Sequence, residues 1–246
     1  MHFLSGVSVL FEGLRFLAAR TALWPWVALP AALMGVGVFS VAWWVWTWTP
    51  AAFAAVLPAP DGGLLFGLWW GLVGYVMLVL FAAGAVVAWA ASTLLATPFY
   101  DVLAERVEAE LLDREPPALT VELALGDAAR SIGHTLLAGA LFGLASALVA
   151  LLALVPFVDV LVPFAELGLT ALFVARELLD FPLSRRRLAF GDKLAFFWAH
   201  LGPFAGLGAV ATALLWVPVL NLIVMPAAVV GATLLVVRLD AQEPSP

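Results

Sequence analysis

Cysteine is absent from all 246 residues. That excludes disulfides, thiol nucleophiles and Cys-ligated zinc together. Charge is nearly as scarce: 11% of residues are Asp, Glu, Lys or Arg, against about a quarter in a soluble domain. A chain that is 65% hydrophobic, with mean hydropathy +1.09, lacks the polar residues to cover its own surface in water. Between Arg20 and Asp61, and again between Asp61 and Asp101, no side chain is charged. Each gap exceeds the roughly 20 apolar residues that a spanning helix needs. Hydrocarbon forces the backbone to satisfy its own hydrogen bonds, as a helix or a closed barrel. The runs lack the alternation of a barrel strand. The sequence therefore describes an all-α integral membrane protein.

The motifs of enzymes are missing too. There is no His-Glu-x-x-His, no Ser-His-Asp arrangement and no glycine-rich phosphate loop. No enzyme, cofactor or metal site is expected. The N-terminus lacks a basic region followed by a small-residue cleavage site, so no removable signal peptide is expected. The net charge of −6 says little about partners, because the acids share their segments with the bases.

What is present divides the chain, as one membrane domain over 1–246, into five regions. Residues 1–20 place Phe3, Val7, Leu10, Leu14 and Leu17 at helical spacing, which predicts an amphipathic helix on the membrane interface. A first span is expected over 23–48, ending in Trp43, Trp44, Trp46 and Trp48 as an aromatic belt. Pro50, Pro58, Pro60 and Asp61-Gly62-Gly63 form the connection. The second long helix covers 64–112, passing through Pro98 and leaving the membrane. Thr120 is the expected N-cap of a third helix.

The regions 120–178 and 190–238 read as helical hairpins turning at Pro156 and Pro218. The first arm of the second has about 15 residues, roughly 22 Å, short of a bilayer core of about 30 Å. A re-entrant, hemi-penetrating hairpin fits this length. Asn221 lies at its turn, where irregular backbone at depth needs a polar partner. The ten arginines and Lys193 all fall on one side if the two spans cross and the hairpins return, whereas residues 49–63 carry none. The positive-inside rule makes the common side cytoplasmic. Arg185-Arg186-Arg187 is expected to anchor headgroups and not to bind nucleic acid.

Several residues carry two readings. Gly67-x-x-x-Gly71, Gly139-x-x-x-Gly143 and Gly202-x-x-x-Gly206 suit close helix packing or a dimer seam. Asp159 and Glu166 are the sole charges between Arg130 and Arg176. Asp159 either caps a helix or acts in function, and Glu166 is a pore or proton-coupling residue or a structural one. Asp101, Glu105 and Glu108 share a helix face beside Arg106, which predicts a solvated surface.

Three stretches resemble the CysZ sulfate permease family. Ala96-Thr97-Pro98-Phe99-Tyr100-Asp101, continued by Leu103-Ala104-Glu105 and Glu108, looks like its A-x-P-F…L-A-E-x-x-E element. Glu177-Leu178-Leu179-Asp180-Phe181-Pro182, followed by Phe190 and Lys193, is similar to its Y-L-D-Y-P…F stretch. Val217-Pro218-Val219-Leu220-Asn221, with Met225-Pro226 and Gly231-Ala232-Thr233, resembles its I-P-L-L-N…P-x-A-V-x-G-A-T ending. Order and spacing agree across almost the whole chain, and the family includes eukaryotic etoposide-induced relatives. The resemblance implies two long spans, two hemi-penetrating hairpins, a homo-oligomer and sulfate uptake across the bacterial inner membrane, as a channel or permease. A non-transporting scaffold that kept the fold is the alternative. The resemblance marks Pro98, Phe99, Asp101, Glu105, Asp180, Pro182, Pro218 and Pro226 as structural motif residues.

The family's sulfate motif is of the Pro-Gly-Leu-Arg-Arg type, and here Thr21-Ala22-Leu23-Trp24-Pro25 stands in its place. The glycine and both arginines are gone. A remaining oxyanion seat would use Arg20 and the Thr21, Ala22 and Leu23 amides at a helix start. Trp24 puts a ring where the family has a cation, and Pro25 has no N–H to offer. Arg20 as a headgroup anchor is the other reading. Asn221 and Glu166 are the pore candidates.

Overall fold

A computed structural model describes residues 2–115, 121–155, 157–183, 186 and 188–242, and only the backbone at 121–132, 134–135 and 218–219. Eight α-helices run in chain order among the described residues: α1 (Phe3–Ala19), α2 (Trp24–Val56), α3 (Gly63–Leu111), α4 (Val121–Leu151), α5 (Val162–Leu183), α6 (Phe190–Ala199), α7 (Leu201–Leu215) and α8 (Pro218–Asp240). Four segments are long and apolar enough to cross a membrane: Thr21–Val56, Gly63–Leu111, Leu136–Leu154 and Leu220–Asp240. The expectation of a helical membrane protein is met at that level.

The helices fall into two compact units. Residues Ala28–Ala96 form one; the stretches before and after them form the other.

Within the 28–96 unit, α2 and α3 pair antiparallel. Gly84 abuts Val41, and Gly37 abuts Ala88 and Ser92. The Trp69 indole N–H donates to the Leu57 carbonyl at 2.8 Å, and its ring stands edge-on to Phe53 at 5.6 Å. Most other side chains here point outward and are apolar, which is the surface that lipid or protein must cover. Pro50 does not end the first span as expected. The helix runs through Pro30 and Pro50 to Val56, because each proline removes one backbone hydrogen bond without breaking a membrane helix. The second long helix does pass through Pro98, reaching Leu111.

In the other unit the core is built around α8, whose residues Ala227 to Val230 are wholly enclosed. Helix α1 packs on α7 and α8. Its packing face differs from the expected stripe. Gly6, Val9, Leu10, Gly13 and Leu17 are buried, while Phe3 and Leu14 stay exposed. The reason is steric. A Cβ on Gly6 would overlap the Pro203 carbonyl, and one on Gly13 the Ala227 carbonyl. Gly206 and Gly231 meet α1 from the opposite side, against Phe3 and Val9. Glycines at these positions let backbones approach more closely than any larger residue would. Gly67, Gly71, Gly139 and Gly143, by contrast, have no neighbour within 4 Å of a built Cβ.

Helices α4 and α5 pack on one another, and so do α7 and α8. Helix α4 ends in a 3-10 turn at Leu152–Leu154, and another at Asp159–Leu161 precedes α5. Phe157, between them, adopts φ +70° and is 92% exposed. Asp159 is not the cap: Val158 holds that position and Asp159 lies in the first turn. Pro156 and Thr120 lie outside the described residues. In the second hairpin Pro218 opens α8 at a position where its missing N–H costs nothing. Asn221 sits in the first turn of α8, its amide bonded to the Val217 carbonyl at 3.2 Å. The region 190–238 is also more than one hairpin, since α6 precedes it and meets α7 at a 94° bend.

Candidate functional site

The start of α2 is where an oxyanion seat was expected. Arg20 leaves helical geometry (φ −128°, ψ 88°), and Thr21–Leu23 form a 3-10 turn leading into α2. The Arg20 Nε donates to Glu110 near the end of α3, and the guanidinium lies over the Phe16 ring at 3.5 Å. The Leu23 amide is spent on the Arg20 carbonyl, and the Trp24 amide on the Thr21 carbonyl. Leu23 itself is buried. Trp24 turns back, its indole N–H donating to the Leu17 carbonyl at 3.1 Å, with the ring 56% exposed. Of the expected amide donors, Leu23 is thereby occupied.

A second concentration of charge lies where α5 meets α6. Lys193 and Asp180 are almost fully enclosed, and the ammonium donates to Asp180 Oδ1 at 2.5 Å. Arg176 Nη1 donates to Glu177 at 2.5 Å, while its Nη2 lies 3.8 Å from Asp180 Oδ2. Nη2 and Oδ2 are both buried without a hydrogen-bond partner. The Arg176 guanidinium also stands 5.0 Å from the Phe190 ring. Enclosed charges of this kind survive only when paired. The Asp180 motif residue thus has a concrete role, holding the sole lysine of the chain.

A third layer gathers the helix ends. Arg186 bridges Asp240 at 2.5 Å and Glu108 at 3.3 Å, and Arg238 reaches Glu12 at 2.5 Å. Hydrogen bonding to Asp240 pushes the Arg186 guanidinium further up from its ordinary value. Together with Arg20 and Glu110, these pairs tie α1, α3 and α8 to one another. Glu105 departs from the solvated surface predicted for it, being 9% exposed. Tyr100 and Phe181 pack edge to face at 5.8 Å, and Phe99 approaches Trp26 at 6.5 Å; Phe99 and Asp101 are half-buried on this stretch of α3, whereas Pro98 is exposed. Pro182 and Pro226 are buried within α5 and α8.

Glu166 accepts a hydrogen bond from the Ser146 hydroxyl at 2.8 Å, across the α4–α5 hairpin. Both are half-buried. Sequence reasoning found Glu166 but not its partner, since a serine in an apolar run gives no signal until the hairpin register is known. Arg176 and Asp180, four apart on a helix, were findable as a pair; that Lys193 joins them was not. His200 sits at the α6–α7 bend with its ring on Phe196. Among the described residues no group of three potential ligands is placed to hold a metal ion.

The family model described as sulfate transporter CysZ/etoposide-induced protein 2.4 matches residues 9–226. The chain belongs to that family. Relatives agree over nearly their whole length. The sulfate transporter CysZ of Pseudomonas paraeruginosa is 28% identical over 99% of this chain and 98% of its own. That of Pseudomonas aeruginosa PAO1 is 29% identical over 98% of both. The Pectobacterium atrosepticum protein of the same name is 26% identical over 94% of this chain and 84% of its own. The CysZ match spans α1 to the middle of α8, so it contains the Arg20 turn, the Asp180–Lys193 pair and the Ser146–Glu166 hairpin.

Proposed function

We propose that this chain carries sulfate, or a related small oxyanion, across the bacterial inner membrane as a homo-oligomeric channel or permease. The observation that carries this reading is the full-length agreement with proteins named sulfate transporter CysZ. Two long spans and two hemi-penetrating hairpins, with the arginine-bearing ends cytoplasmic, form the accompanying topology. The oxyanion is received at Arg20, whose Nη groups offer two parallel donors, and at the Thr21 and Ala22 amides. Glu110 competes for the same guanidinium, so binding is weak and Trp24→Arg strengthens it. Glu166 with Ser146, and Asn221 at the start of α8, supply polar groups along the path.

Labelled sulfate uptake into phosphatidylcholine liposomes carrying the purified protein tests this. Uptake above that of empty liposomes, cut roughly tenfold at limiting sulfate by Arg20→Ala, is the expected result. Uptake equal to empty liposomes points to the non-transporting scaffold, a reading that the Arg20–Glu110 ion pair favours because it gives Arg20 a structural task. Uptake unaffected by Arg20→Ala removes the seat while leaving transport.

A further inference from the structure

A second guanidinium stands at the start of α2. Arg106, on α3, lies over the Trp26 ring with its Cζ 4.7 Å from the ring centroid. Trp26 belongs to the first turn of α2, and Phe99 approaches it from α3 at 6.5 Å between ring centroids. Among the described side chains, the half-buried arginines are Arg20, Arg106 and Arg176. Glu110 accepts from the first and Glu177 from the third. No carboxylate among the described residues is placed against Arg106. Contact through a ring spends none of the five N–H donors of a guanidinium. Arg106 is thus a supported cation whose donors stay free.

Its place on α3 ties it to Arg20. Glu110, the acceptor for Arg20, lies four residues after Arg106, and residues four apart on a helix are neighbours at about 5–6 Å between Cβ atoms. Both guanidiniums therefore have this carboxylate as a near neighbour. Each also rests on an aromatic ring, Phe16 for Arg20 and Trp26 for Arg106. Arg20 and Glu110 alone cancel; with Arg106 the group carries one net positive charge. Glu108, on the same helix, is taken by Arg186. Arg20 precedes the charge-free run that ends at Asp61, and Arg106 follows the one that ends at Asp101. Both cations stand where the apolar stretches of the long helices give way to polar sequence.

We infer that Arg106 is the second cation of the oxyanion seat and sets its preference for a doubly charged anion. The inference rests on the reading of Arg20 as the first cation. The Arg106 fork donates two parallel N–H groups to two oxygens of the anion. By Coulomb's law a dianion gains about twice as much from an added unit charge as a monoanion of similar size. Arg106 therefore acts more on sulfate than on nitrate.

Equilibrium binding of labelled sulfate to the purified full chain in detergent, competed with nitrate, tests this. Arg106→Gln is expected to weaken sulfate roughly tenfold and nitrate roughly threefold, half the effect on a logarithmic scale. Arg106→Lys keeps the charge but not the fork; it is expected to keep the preference for sulfate, and it carries the test if Arg106→Gln fails to fold. In a Glu110→Gln background, Arg106→Gln is expected to weaken sulfate by the same factor as in wild type. An effect that vanishes there would mean that Arg106 acts on Glu110 and not on the anion, and overturns the inference. Equal weakening of sulfate and nitrate, loss of the preference in Arg106→Lys, or wild-type binding by Arg106→Gln overturns it as well. Binding weakened by Arg20→Ala but not by Arg106→Gln leaves the Arg20 seat standing alone. A wild-type protein that binds no sulfate removes the seat and Arg106 with it.

Discussion

Lys193 Nζ and Asp180 Oδ1 are 2.5 Å apart, with the two residues only 5% and 6% exposed. This pair ties α5 to α6 just ahead of the 94° bend into α7. Removing one partner strands a buried charge, which costs about 3–5 kcal/mol, whereas replacing both with apolar residues of similar volume is often neutral. Lys193→Met or Asp180→Leu is therefore expected to lower the unfolding temperature in detergent sharply. The double variant is expected to recover most of the loss. A double variant as unstable as either single one would mean that the pair does more than neutralise itself.

Close backbone approach at α1 makes a second prediction. A methyl on Gly13 would collide with the Ala227 carbonyl, which cannot move without shifting α8. Overpacking of this kind costs about 1–3 kcal/mol, so Gly13→Ala is expected to destabilise the protein measurably. Gly67→Ala, in open space on α3, is expected to be neutral or to stabilise by up to about 1 kcal/mol through helix propensity. Thermal unfolding of the two variants side by side checks the contrast.

The cysteine-free sequence offers a clean topology measurement. The arginine-bearing ends are expected on the cytoplasmic side and residues 49–63 opposite. In intact spheroplasts an impermeant thiol reagent is expected to label Asp61→Cys and to spare Gln242→Cys until the membrane is opened. The reverse pattern would invert the orientation.

The Ser146–Glu166 hydrogen bond carries a functional prediction. A lipid-facing carboxylate would cost about 2.5–3.5 kcal/mol even on the more lenient insertion scale, and the hydroxyl gives it a polar partner. Should Glu166 move protons with the anion, Glu166→Gln is expected to abolish the pH dependence of flux while leaving assembly intact. Flux and pH response equal to wild type would assign Glu166 a structural role instead.

Much of this protein is written in composition. The charge-free stretches on either side of Asp61 demand lipid-compatible backbone, and helix follows because it alone satisfies every amide within a continuous apolar segment. The passage of α3 through Pro98 was legible, since the apolar spacing continues beyond it. The start of α8 at Pro218 was legible as well, because proline divides that apolar block. Register was not. Which face of α1 packs depends on where the carbonyls of Pro203 and Ala227 lie, and a hydrophobic stripe cannot report that: the decisive residues are glycines with no side chain to score. The partners of the charges were hidden for the same reason. Lys193 with Asp180, Arg20 with Glu110 and Ser146 with Glu166 are 13, 90 and 20 residues apart. Sequence fixes where charge is scarce enough to matter, but only folding brings a donor within reach of its acceptor, because hydrogen bonds act over about 3 Å and chain separation does not determine distance in space.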